Sequence, residues 1–229
     1  MSNKQQTINR KGTAKLDDKL NKEEIKLNLG CGNQTPQEWI NVDYALGAKI
    51  FKTPLFSIIN SKLKIFDVTW DKNIFIHDLR KKFPWSNNSV DFIYSSHTLE
   101  HFSKDEGYHF LQECYRLLKK KGTIRIIVPN LQEIIAQYLE KKLPADEFLN
   151  KLEVSYERPQ DKLGKRLLAP FISFPHKCMY DTEALSRIMS EIGFECHAAK
   201  PFESNIPNIK NIELPDRTEQ AVIVEGQKV

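Results

Sequence analysis

No stretch of this sequence approaches the ~18 consecutive apolar residues that a membrane-spanning helix needs, and its polar beginning has no apolar core of the signal-peptide kind. Neither stable membrane insertion nor export is expected, and a cytoplasmic location is. Cysteine is scarce: Cys31, Cys114, Cys178 and Cys196 lie far apart, with no CxxC pair to build a zinc knuckle or a redox couple. Reduced thiols fit that usage. There is no strong excess of one charge, since 34 basic side chains face 30 acidic ones and the net charge is +4, evenly spread. A phosphate-backbone partner usually demands more, so nucleic acid is not an expected ligand. No internal repeat is present.

What the chain does contain is 229 residues, enough for one ordinary α/β domain and short for two. Residues 1–24 have few apolar side chains among many Lys, Gln, Asn and Asp. Their burial cannot offset the entropy of ordering, which predicts a flexible tail before a domain over 25–229. Within that domain short β-rich runs alternate with helical patterns, the signature of a mostly parallel sheet covered by helices. Strands are predicted at 25–29, 40–43, 74–77, 90–95 and 123–128, each short and apolar as buried parallel strands are. A closing pair at 194–199 and 221–225, joined by a long loop over 201–220, reads as an antiparallel edge.

Two helices are clear. In the first, Tyr108, Leu111, Cys114 or Tyr115, and Leu118 recur at helical spacing, Ser103 and Glu106 form a capping-box pattern, and residues 119–122 end it. The second starts at Asp181, carries Leu185, Ile188, Met189 and Ile192 on one stripe, and stops at Gly193. The segments 45–73 and 140–175 match no core element and read as insertions over the ligand end of the sheet.

The first strand runs into Gly30-Cys31-Gly32, at the carboxyl edge where open α/β sheets bind ligands and where missing Cβ atoms let backbone come close. A dinucleotide fingerprint would place a third glycine at position 35, which is Thr. NAD is therefore disfavoured, and a ligand without a diphosphate is favoured. Asp43 ends the second strand, where a carboxylate can accept from both hydroxyls of a ribose. Only ten residues separate Gly32 from Asp43, so a helix between them has two turns or less. His77-Asp78-Leu79 follow the third strand, where a carboxylate can receive an adenine amine; a simple turn cap at Asp78 is the competing reading.

Tyr94-Ser95-Ser96-His97-Thr98-Leu99-Glu100-His101-Phe102 leaves the fourth strand and crowds polar side chains into one turn. Histidine there suits a general base for a hydroxyl or amine, with His97 first and His101 second. His97, Glu100 and His101 also spell H-x-x-E-H, a zinc-peptidase pattern that would need a third ligand downstream and leaves the glycine turn and Asp43 unexplained. No resident metal is expected; a divalent ion held by these three side chains, and plain helix capping by Glu100 and His101, stay open beside the base. Tyr156, Arg158, Phe171, Phe174 and His176 are candidate pocket residues in the second insertion.

With these residues in place the chain resembles the class I S-adenosylmethionine (SAM) dependent methyltransferases, particularly the small bacterial type 11 group linked to cell-surface polysaccharide and sugar metabolism. The stretches that carry the likeness are KLNLGCG, WINVDY, HDLRKKFPWSNNSVDFIYSSHTLEHF, LQECYRLLKKKGTIRIIVPNL, HKCMYDTEALSRIMSEIGF and VIVEGQKV. The resemblance implies a Rossmann-like, seven-stranded, mostly parallel α/β sheet with helices on both faces and the last strand antiparallel. It implies SAM as cofactor, touched by Asn28, Leu29, Gly30, Cys31 and Gly32, by Asp43 and Tyr44 at the ribose, by His77, Asp78 and Leu79 at adenine, and by Ser95 and Ser96. Where many relatives carry an acidic residue and a third glycine in the first motif, this chain has Asn28 and Gln34. A small-molecule acceptor, such as a sugar or saccharide precursor, is the expected partner. A SAM-binding protein without turnover, and a methyltransferase acting on protein or RNA through the basic stretches 119–121 and 162–166, are the alternatives.

Overall fold

In a computed structural model the described residues are 24–51, 70–154 and 175–229. The rest of the expected tail and most of the first insertion, with its apolar stretch 52–66, lie outside them. The elements run β1 (Lys26–Leu29), β2 (Ile40–Asp43), α1 (Leu46–Phe51), β3 (Phe75–Ile76), β4 (Val90–Ser96), a 3-10 turn (Leu99–His101), α2 (Lys104–Leu117), β5 (Leu118–Pro129), α3 (Leu131–Leu139), α4 (Ala145–Leu152), α5 (Thr182–Ile192), β6 (Phe194–Ala198), α6 (Pro215–Thr218) and β7 (Ala221–Lys228). The helices α1 and α4 fall within the segments read as insertions.

The sheet has seven strands in the order β3-β2-β1-β4-β5-β7-β6. Strands β1 to β5 pair in parallel, and β7 runs antiparallel to both of its neighbours. The connections depart in opposite directions from the β1/β4 boundary, which opens a crevice at the carboxyl ends of the central strands. This is the Rossmann-like sheet the resemblance implied, with the last strand reversed.

Alternation along the strands builds two apolar layers. On one face Ile124, Ile126 and Val128 of β5 and Val222 and Val224 of β7 meet Phe110, Leu111, Cys114 and Leu117 of α2 and Leu185 and Met189 of α5. On the other face Tyr94, Ile127 and Ile223 meet Trp39, Ile206, Ile209 and Ile212. That second face is covered by the segment 199–220, so the region predicted as a plain loop does the work of a packing layer.

Both predicted helices form, with their predicted caps. The Ser103 hydroxyl accepts from the Glu106 amide at 3.3 Å, and the Glu106 carboxylate accepts from the Ser103 amide at 2.8 Å. Asp181 accepts from the Ala184 amide at 2.7 Å, and Gly193, at φ 119°, ends α5 in a conformation that only glycine adopts cheaply. The buried stripe of α2 is Phe110, Leu111, Cys114 and Leu117, one step round from the predicted one, because Leu118 already belongs to β5.

Three boundaries differ from expectation. Strand β3 contracts to two residues. Residues 119–122, read as a helix stop, form the bulged start of β5: Val90 pairs with Leu118, but Phe92 pairs with Thr123. Lys121 takes the slack at φ 65°, and the Lys119 ammonium reaches Asp91 at 2.8 Å. Between Gly32 and Asp43 there is no helix. Pro36 lacks an amide proton, and two asparagines take up the carbonyls that helical bonds would have used: Asn28 donates to the Gln34 carbonyl (3.0 Å), and Asn41 to those of Pro36 (3.0 Å) and Trp39 (3.1 Å).

Arg125 projects from β5 into the second layer with no exposed surface. Its guanidinium donates to Glu213 (2.6 Å), to Glu225 (2.8 Å), and to the carbonyls of Glu203 (2.9 Å) and Lys200 (2.8 Å). Removing one member of such a set strands the others, at a cost of about 3–5 kcal/mol. Arg125→Ala is therefore expected to lower unfolding stability by about that amount in a denaturant titration.

A second charged cluster sets an acid limit. The Arg116 guanidinium forks onto Glu113, with both contacts at 2.8 Å, while the Phe83 amide donates to the same carboxylate at 2.9 Å. Led by Arg116, these donors hold the Glu113 carboxyl below its ordinary value of 4.5. With the folded value below the unfolded one, the stabilisation is present above pH 4.5 and is lost as pH falls through the folded value. Glu113→Gln is expected to flatten the urea-midpoint profile between about pH 5 and pH 3.

Candidate functional site

The predicted glycine turn leaves β1 with Gly30 at φ 76° and Gly32 at φ 56°. The two glycines serve different ends. A Cβ at Gly30 would overlap the Thr98 side chain, so its absence lets the turn after β4 pack directly on the turn after β1. A Cβ at Gly32 would meet nothing within 4 Å; there the left-handed backbone demands glycine and the space beside it is open. The amides of Gly30 and Cys31 both donate to the Val42 carbonyl, at 2.9 and 3.1 Å.

Asp43 spans the crevice mouth. Its Oδ2 accepts from the Gly32 amide at 2.8 Å and its Oδ1 from the Ala45 amide at 2.6 Å. Each oxygen keeps one lone pair, the number a vicinal diol can use. Tyr44 next to it is 41% exposed, with the Lys49 ammonium 3.1 Å from its ring centre. The open backbone at Gly32 and the two spare acceptors of Asp43 fit a ribose-bearing ligand.

The remaining first-motif side chains turn inward. Leu29 is fully buried in the core. Cys31 packs on Ala48 and Ile74, and burial, helped by Asp43, pushes its thiol far above the ordinary range. The second amide proton of Asn28 goes to Asn41 at 2.9 Å, so with the bond to Gln34 both are spent on the chain itself.

The segment after β3 lies on the same edge. The His77 amide donates to the Asp43 carbonyl at 3.1 Å, and its ring lies between Phe75 and Phe83. Arg80 forks onto Asp78 at 2.8 and 2.9 Å and holds that carboxyl below its usual range. Leu79 points into the main core. The structure thus brings these residues to the crevice while committing the Asp78 carboxylate to Arg80.

After β4, Ser95 donates to the Leu29 carbonyl at 2.9 Å and ties the two central strands at their carboxyl ends; Ser96 is the last residue of the strand. His97 sits in the left-handed region at φ 51°, a conformation uncommon for a side chain of its size. Its Nε2 lies 3.0 Å from the Arg217 carbonyl, so that nitrogen carries the proton, and its Nδ1 lies 3.4 Å from Glu100. Burial acts to lower its pKa, but the Glu100 carboxylate and the Arg217 carbonyl outweigh burial and the net shift is upward from 6.5. His101 shifts the other way, lowered chiefly by burial.

Glu100 has no exposed surface. Facing it, His176 donates from Nδ1 to the Leu152 carbonyl at 2.9 Å and presents Nε2 4.0 Å from Glu100 and 3.5 Å from Glu153. The rings of His101 and His176 stand 5.1 Å apart. These groups form one wall of a cavity of about 480 Å³, whose other sides include Glu133, Gln137, Lys151, Arg217 and Gln220. It opens beside the carboxyl ends of β4 and β5.

Sequence reasoning missed Thr98, because nothing in a lone threonine marks it as the partner of a glycine, and Arg217, which acts through its carbonyl. His176 was named only as a pocket residue. Tyr156, Arg158, Phe171, Phe174 and the basic stretch 162–166 lie outside the described residues. None of the described helices is long and apolar enough to cross a membrane.

Residues 27–126 match a family described as methyltransferase domain. Among solved structures, a SAM-dependent methyltransferase of Methanosarcina mazei is 13% identical, with a TM-score of 0.53 over 93% of this chain and 96% of that one. The YcgJ protein of Bacillus subtilis is 14% identical, with a TM-score of 0.48 over 96% and 99%. A search of curated proteins finds no match. The family match covers the glycine turn, Asp43 and the strands that carry them, on a sheet of this order, and identifies residues 27–126 as the methyltransferase domain of an enzyme whose cofactor is SAM.

Proposed function

We propose that this enzyme moves the methyl group of SAM to a hydroxyl or amine of a small polar molecule, a sugar or saccharide precursor, in the cytoplasm. The observation that carries the reading is the Asp43 carboxylate, fixed by the Gly32 and Ala45 amides with one lone pair free on each oxygen. In this reading Asp43 receives the two ribose hydroxyls. The Gly30–Gly32 turn lies along the methionine part, with Asn28 and the core residue Leu29 backing it; Tyr44 flanks the ribose, His77 and Asp78 border the adenine side with Leu79 packed in the core behind them, and Ser95 and Ser96 border the sulfur. The sulfonium supplies an electrophilic methyl group, so transfer is a single in-line displacement that depends mainly on positioning.

The acceptor is assigned to the cavity beside His97. Its lining is dominated by hydrogen-bonding side chains: Lys151 donates to Gln137 at 2.6 Å, and Gln137 to Glu133 at 2.9 Å and Gln220 at 3.1 Å. A hydroxyl-rich molecule can exchange into such a network where an apolar one would strand it. With Nε2–H held by the Arg217 carbonyl, the lone pair of neutral His97 is on Nδ1. A proton taken there from the acceptor is stabilised by Glu100 at 3.4 Å; His101 is the second base. The free state of the described cysteines agrees with a reducing compartment.

Calorimetric titration with SAM tests the assignment. Asp43→Ala is expected to weaken binding more than tenfold, and wild-type protein given sugar acceptors is expected to release S-adenosylhomocysteine. Unchanged affinity in the variant would remove Asp43 from the ribose. Tight SAM binding without turnover on any hydroxyl or amine acceptor would overturn the catalytic reading.

A further inference from the structure

We propose that Glu100, His101 and His176 bind one divalent first-row transition cation of the Zn²⁺, Mn²⁺ or Co²⁺ kind, with its remaining coordination positions open to the neighbouring cavity. One ligand atom from each of the three side chains lies within 4.8 Å of the others. Tetrahedral coordination at ordinary metal–ligand lengths needs separations of about 3.3 Å, a contraction within the reach of side-chain rotation.

Three observations point to a cation rather than to ordinary packing. First, Glu100 is wholly buried, and apart from His97, whose Nδ1 stands 3.4 Å away, no donor among the described residues approaches either carboxylate oxygen, and none does so with hydrogen-bond geometry. A carboxylate so placed is costly unless something positive meets it. Second, His176 is 7% exposed and spends its Nδ1 proton on the Leu152 carbonyl at 2.9 Å. That bond fixes the tautomer and leaves the Nε2 lone pair facing Glu100, the arrangement by which a metal-ligating histidine is held from behind. Third, the two parts of the site are already stapled together. The amides of Lys177 and Cys178 both donate to the Glu100 carbonyl, at 2.8 and 3.1 Å, so His176 is delivered to the 3-10 turn by backbone bonds that need no metal.

Two imidazoles and one carboxylate favour transition cations over Mg²⁺ and Ca²⁺, which prefer all-oxygen shells. Glu153, 3.5 Å from His176 and largely exposed, can swing in as a further oxygen ligand. The set differs from the one the H-x-x-E-H spacing suggested. His97 is drawn off by the Arg217 carbonyl, and His176, 75 positions downstream of His101, stands in its place. Ligation also withdraws His101 from acid–base work and leaves His97 as the base. The cation site does not rest on the methyl-transfer reading, because its readout is metal binding alone.

The test uses the full chain, stripped with chelator and titrated with Co²⁺ by absorbance and with Zn²⁺ by calorimetry. One equivalent should bind. His101→Ala and His176→Ala should each weaken binding at least tenfold, whereas the exposed His109→Ala should not change it, and a hundredfold excess of Mg²⁺ should not displace Co²⁺. Saturating Zn²⁺ should raise the thermal midpoint of the wild type but not that of Glu100→Gln, each measured against its own metal-free form, which separates lost ligation from lost folding. No stoichiometric binding, binding unchanged in His176→Ala, displacement by Mg²⁺, or an equal rise in Glu100→Gln would each overturn the proposal.

Discussion

Arg125 reaches the candidate site without touching it. Its guanidinium, buried between Glu213 and Glu225 and bonded to the carbonyls of Lys200 and Glu203, pins the segment 199–220 onto the sheet. The same segment then makes two contacts on the functional edge: the Ile212 carbonyl accepts from Gln34 of the glycine crossover, and the Arg217 carbonyl holds Nε2 of His97. A buried ion pair is weak evidence for net stability, since apolar residues of the same shape often serve as well. Its contribution here is directional. The guanidinium has five fixed donors and meets acceptors from three separate stretches of chain, so the loop can settle in one register and the histidine in one orientation.

On that frame the two glycine positions divide the labour. Gly30 gives up its side chain so that Thr98 can lie against β1, which couples the glycine turn to the turn bearing His97, Glu100 and His101. Gly32 adopts the backbone conformation that points its amide at Asp43 and leaves open space beside it. The glycine turn and the cavity beside His97 therefore share one junction at Thr98. A displacement at either glycine would be felt on both sides of it.

Much of this was legible because the signals were local. The apolar runs of β1, β2 and β4, the Ser103–Glu106 box and the Asp181 to Gly193 helix each state their own structure within a dozen residues, and the glycines at 30 and 32 announce the left-handed turn that follows β1. The rest depends on partners distant in sequence. The charged run Lys119 to Lys121 carries no strand pattern, and its place at the start of β5 follows from a bulge opposite Asp91. The missing helix after Gly32 reflects asparagine side chains standing in for backbone bonds, which propensity does not register. Arg125 reads in sequence as a charge inside a strand, and its meaning rests on Glu213 and Glu225, some ninety to a hundred residues further on. His176 joins Glu100 only through the fold, so a motif limited to adjacent residues nominated His97 instead.

In the proposed function the crevice between Gly32 and Asp43 holds the nucleoside of SAM, and the cavity beside His97 receives the acceptor. A crystal structure of the chain with S-adenosylhomocysteine bound tests it most directly. Both ribose hydroxyls are expected on the Asp43 carboxylate, with the sulfur turned towards the cavity wall formed by His97 and Glu100. A nucleoside seated elsewhere, or a sulfur facing away from that cavity, would contradict it.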